Sequence, residues 1–168
     1  MDRSPQALID AITQWDVLNN PLFMKGKLLA DTTEAPAPWA LWNGAQYGVI
    51  PYTRCNGFAG CVLLSLGCPV PWQTANQHFA WFPSPAAQEK GWTEVDYATA
   101  VNRANAGFPL VIVAQEPGHG HIAIGRPSPA TYPTKLYCAA AGAVNSPCMW
   151  LVDQFGGLAP TAKFFTHD

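Results

Sequence analysis

Residues 53–67 read TRCNGFAGCVLLSLG. A cysteine stands just ahead of a small-residue, apolar run that ends in glycine. Phe58, Val62 and Leu66 recur four apart and so fall on one face of a helix. Gly67 stands where a helix end wants a residue in the left-handed conformation. The spacing therefore predicts a helix over 55–66, with Cys55 at its N-terminus. The N–H groups at such a terminus carry roughly half a positive charge, which favours thiolate over thiol. A thiolate is an attacking species, so the position suits a nucleophile. A buried apolar filler, half of a disulfide or a metal ligand are the other uses of a cysteine there.

Outward from this helix, residues 4–18 predict another, with Ser4 as cap, Pro5 at the first helical position and Leu8, Ile12 and Trp15 on one face. Residues 19–54, rich in Pro, Trp, Gly and Asn, predict a loop-rich insertion. QTANQHFAWF, residues 73–82, predicts a short helix. A further helix is expected over 94–106, with Thr93 as cap, Asp96 as box partner and Gly107 as stop. The pattern then changes. PLVIVAQ (109–115) and HIAIG (121–125) predict a hairpin around the turn EPGHG, and KLYCAAAGAV (135–144) a third strand. Ser146 and Pro147 are expected to open a short helix closed by Gly156, and AKFFTH (162–167) to form a last strand. Helices first and strands after give an α+β layout, with the N-terminal helices packed on one face of a small antiparallel sheet.

The bulk numbers bound the function. The chain has 168 residues, 49% of them hydrophobic and 12% charged, which fits a single globular domain over 1–168. A net charge of -2 without a Lys/Arg cluster argues against nucleic acid as partner. The first twenty residues lack the apolar core of a signal peptide, and no apolar stretch is long enough to span a bilayer. Synthesis in the cytoplasm without a signal peptide is the expectation. Five cysteines, at 55, 61, 68, 138 and 148, leave at least one free thiol in a monomer. Pairs Cys61–Cys68 and Cys138–Cys148 are one arrangement; five reduced thiols are the simpler one for a cytosolic product.

A nucleophilic Cys55 needs a base. Of His78, His119, His121 and His167, His121 begins a strand, where the sheet fixes its ring and a packed helix can present its first residue. His119 sits in the glycine turn, His78 beside Phe79 and Trp81, and His167 next to the last residue.

The order of these pieces resembles papain-like bacterial cell-wall cysteine peptidases of the NlpC-like and CHAP kinds. CNGFAGCVLLSLG is similar to their cysteine helix, and GHIAIG to their histidine strand. The chain more closely resembles the first amidase effector family of type VI secretion systems, from Cys55 to Val144. CNGFAGCVLLSLGCPVP, QTANQ, AGFPLVIVA, GHIAIGRPSPATYP and AAAGAVN carry the likeness. It implies a papain-like (NlpC-like) fold, Cys55 as nucleophile and His121 as general base. It implies hydrolysis of the peptidoglycan stem peptide, at the D-glutamate–diaminopimelate bond, without metal or cofactor. It further implies export into the periplasm of a target bacterium by a secretion apparatus, and an immunity protein in the producer. Relatives carry a polar or cysteine residue on the strand after the histidine. Tyr137, Cys138 or Asn145 would fill that place here. Asn56 stands where relatives have serine, at the helix start that supplies part of an oxyanion hole. Trp72, Asn76, Gln77, Trp81, His119 and Arg126 would line a groove for the sugar-peptide. The alternatives are a phage or housekeeping wall hydrolase, another papain-like acyl-transfer enzyme, or a non-catalytic module. The last would bind glycan on its tryptophans or zinc on Cys55, His119 and His121.

Overall fold

The computed structural model describes residues 3–20, 23, 54–71, 73–118 and 120–168. Most of the expected 19–54 insertion, Trp72 and His119 lie outside these residues.

The sequence breaks into elements much as its caps and glycines dictate. Helix α1 (Pro5–Thr13) is capped by Ser4, whose hydroxyl accepts from the Ala7 N–H at 3.2 Å. It stops five residues short of the expected end, yet Trp15 beyond it stays buried and its indole N–H donates to Ser65 Oγ at 3.0 Å. Helix α2 (Arg54–Ser65) is buried along 55–63 without interruption. Such a helix is wrapped on all sides, so a one-sided stripe understates it. Gly67, at φ 68°, ends it, with the Cys68 N–H returning to Leu63 O at 3.0 Å. Helix α3 (Ala75–Trp81) opens with a capping box between Thr74 and Gln77. A single turn, α4 (Pro85–Gln88), follows.

Residues 92–95 form strand β1 (Trp92–Val95), and Asp96, not Thr93, caps helix α5 (Tyr97–Asn105) by accepting from the Thr99 N–H at 2.7 Å. Pairing of β1 with the last strand outweighs the helical spacing of the same residues. Gly107 closes α5 as expected, at φ 86°. Strands β2 (Leu110–Ala114) and β3 (His121–Arg126) form the expected hairpin, and β4 (Tyr137–Ala140) pairs with β3. Ser146 and Pro147 begin a strand rather than a helix: β5 (Ser146–Trp150) precedes helix α6 (Leu151–Phe155), which Gly156 closes. Pro147 is tolerated because β5 is a sheet edge, where a missing N–H costs no ladder bond. A 3-10 turn over Gly156–Thr161 leads into β6 (Lys163–His167).

The sheet runs β1-β6-β2-β3-β4-β5, and each neighbouring pair is antiparallel. The last strand in sequence thus sits inside the sheet. Both faces are covered, not one. Alternation sends Val111, Val113, Ile122, Ile124, Ala139 and Phe165 into a core with α1, α2 and α3. It sends Leu110, Ile112, Ala114, Ala123 and Cys138 into a second core with α5 and α6. That is why all five residues of β2 are buried. The chain is therefore a three-layer α+β domain. Among the described residues no helix is long and apolar enough to cross a membrane. All five cysteines are free thiols, so neither candidate disulfide forms.

Candidate functional site

Helix α2 starts one residue earlier than expected, so Cys55 is its second residue and lies within the first turn. The N–H groups of that turn have no acceptor inside the helix. Small residues at 56, 57, 59 and 60 let α2 settle closely on the sheet, and β3 is the strand it packs against most. Cys55 is buried in the core of this layer.

His121 opens β3 opposite Ala114, and the pair shares the face of Ala123. Its ring accordingly leans toward α6. Phe155 lies edge-on to it at 4.8 Å between centroids, and the Gln154 amide nitrogen is 3.2 Å from its Nε2. The sulfur lies in the core with α2, and the imidazole of the first β3 residue touches Phe155 and Gln154 of α6. The ends of the elements that carry them converge where the β2–β3 turn closes.

That convergence has a concrete route. Asn56, beside Cys55, is buried and its Nδ2 donates to Gln73 O at 2.8 Å. Three residues on, Asn76 grips the hairpin turn. Its Nδ2 donates to Glu116 O at 2.8 Å, and its Oδ1 accepts from the Glu116 N–H at 3.3 Å. Gly120 fits under this clamp at φ +64°; a Cβ there would come within 2.3 Å of Asn76 Oδ1 and 2.6 Å of Ala114 O. The residue after Gly120 is His121. A chain of side-chain to backbone bonds therefore fixes the start of α2 and the start of β3 against one segment.

The expected third residue is not where the sequence put it. Tyr137 pairs with Arg126 and Cys138 with Gly125. Both stand at the far end of β3, about 13–17 Å along the strand from His121. Cys138 lies in the second core, its thiol near Met149 O at 3.7 Å, and burial pushes its pKa up. Continued register brings Gly142 opposite His121, and a Cβ there would lie 3.2 Å from the ring's Cε1. Asn145 is close by, but its amide is spent on backbone. Its Oδ1 accepts from the Gly142 N–H at 3.0 Å, and its Nδ2 donates to Val17 O at 2.9 Å and Phe23 O at 2.8 Å. Gln154 meets the imidazole at Nε2, and sequence reasoning missed it because only the β5–α6 turn brings it there.

The groove residues divide likewise. Asn76 is a clamp, and Gln77 is half of the α3 capping box. Trp81 packs edge-on to Phe82 at 5.1 Å, half-buried. Arg126 stands at the opposite end of β3 from His121 and donates to Pro147 O at 2.5 Å, so it does not share a groove with Asn76. Burial pushes the pKa values of Cys61 and Cys68 up to about 12 each. These two and Cys138 are neutral, inert thiols near pH 7. Among the described residues no group of three or more His, Cys, Asp or Glu could hold a metal ion. The zinc set considered from sequence includes His119, outside those residues. No protein-family model matches the chain, and no curated protein matches it.

Proposed function

We propose that the chain is a cysteine amidase of the papain-like, NlpC-like kind that hydrolyses the stem peptide of peptidoglycan. The observation that carries this is the lacing of the first turn of α2 to the start of β3 through Asn56–Gln73 and Asn76–Glu116. It ties the helix turn that carries Cys55 and the strand start that carries His121 to one segment, residues 73–76. Catalysis requires Cys55 and His121 to meet around that segment.

In this mechanism His121 takes the thiol proton and Cys55 Sγ bonds to the scissile carbonyl carbon. First-turn N–H groups of α2 hold the oxyanion. The C–N bond breaks as the imidazolium returns its proton to the departing amine. Water then attacks the thioester and frees the thiol. The D-glutamate–diaminopimelate bond is the proposed target. The setting proposed for it is a type VI secretion effector delivered to a target periplasm and blocked in the producer by an immunity protein.

The test is digestion of purified muropeptides, read by mass. The wild type is expected to cut one stem-peptide bond, and Cys55→Ala to lose on the order of 10³-fold or more of the rate. Uncut muropeptides with the wild type, or equal cleavage by both proteins, would sink the assignment.

A further inference from the structure

The Gln154 amide carries an inference about where His121 keeps its proton. Its catalytic weight rests on the hydrolase reading above; its geometry does not. Gln154 Nε2 stands 3.2 Å from His121 Nε2 and 3.4 Å from Val144 O. Among the described residues its Oε1 is buried without a hydrogen-bond partner. Phe155 packs edge-on to the imidazole, and Gly142, having no Cβ, leaves room beside the ring's Cε1.

A backbone carbonyl only accepts, so Val144 O selects the NH₂ group of the amide. The same NH₂ then donates to His121 Nε2, which must offer a lone pair. The ring proton is left on Nδ1. Turned by half a rotation, Oε1 would gain the partner it lacks, a proton on Nε2, while Val144 O would lose its donor. Neither orientation satisfies every group, which is the condition for a two-position element.

We propose that Gln154 is the positioning residue of His121 and sets its tautomer. With the amide as found, His121 rests neutral with the proton on Nδ1. With the amide turned, the proton sits on Nε2, having exchanged through water, and Nδ1 presents its lone pair to the Cys55 thiol proton. The imidazolium formed then donates from Nε2 to Gln154 Oε1 until Nδ1 returns its proton to the leaving amine.

The experiment is ¹⁵N NMR of the full chain with labelled histidine, above pH 8, where a free imidazole is neutral. The His121 signals are assigned by their loss in His121→Gln. In the wild type the proton is expected on Nδ1 by about tenfold over Nε2, the worth of one hydrogen bond. Gln154→Glu presents only acceptors, so the proton should move to Nε2. Gln154→Met removes the amide and should leave a mixture. A proton on Nε2 in the wild type, or the same distribution in all three proteins, overturns the proposal. If Gln154→Met does not fold, the wild-type and Gln154→Glu spectra decide it. A tautomer switch with uncut muropeptides would remove the hydrolase assignment and leave this one standing; the reverse result would do the opposite.

Discussion

Gly120 is the residue on which the placement of His121 turns. Its φ of +64° is costly for any other residue, and two oxygens crowd the position a Cβ would take. Gly120→Ala should therefore destabilise the fold by about 2–4 kcal/mol, through backbone strain plus displacement of the Asn76 clamp. Urea unfolding checks this, and a loss under about 0.5 kcal/mol, the range of an ordinary surface change, would mean the turn has another shape. At this scale the sequence was partly legible. The glycine turn and the strand-opening histidine could be read from composition and alternation. Gln154 could not, because it lies 33 residues away in sequence. Tyr137 and Cys138 were misplaced because register, not strand identity, decides what faces His121.

Among the elements, α3 holds the most telling side chain. His78 is buried beneath this helix, stacked on Phe82 at 5.6 Å between centroids, with the Gln73 amide 3.3 Å from its Nδ1. Burial pushes its pKa from 6.5 down to about 3. Between those values the unfolded chain binds a proton that the native chain refuses, so stability falls as pH drops below about 6.5. From pH 7 to pH 5 this amounts to about 2 kcal/mol. The same step in His78→Gln should cost correspondingly less, as compared by urea unfolding at the two pH values. Equal losses would show that His78 is freely protonated in the native state. A helix closed by a glycine, such as α2, was legible to within a residue or two. β1 and β5 were not. TrpThrGluVal and SerProCysMetTrp carry no alternation that marks them, and only pairing partners elsewhere in the chain make them strands.

Across the whole molecule, the sheet is the partition that organises function. Its C-terminal strand β6 lies inside it, and Phe165 from that strand stacks on Phe82 at 5.0 Å with Trp92 edge-on to the same ring at 5.0 Å. Phe165→Ala should cost about 3–5 kcal/mol, a large part of a domain's usual margin, and lower the thermal midpoint accordingly. A change below about 1 kcal/mol would contradict the central place given to this strand. The α+β class could be read from the order of patterns along the chain. The second helical layer could not, because α5 and α6 reveal their side of the sheet only through strand order. That layering bears directly on the chemistry. Cys55 lies in the core with α2 and His121 opens β3 beside α6, and their partnership depends on the end of the sheet where β3 begins. The most direct measurement is a double-mutant cycle on kcat/KM for muropeptide cleavage, with the wild type, Cys55→Ala, His121→Ala and the double variant. Groups that act as one unit lose nearly everything with the first removal, so the double variant should be no slower than about threefold below either single one. Near-normal cleavage by His121→Ala, or losses that multiply in the double variant, would contradict the pairing of these two residues.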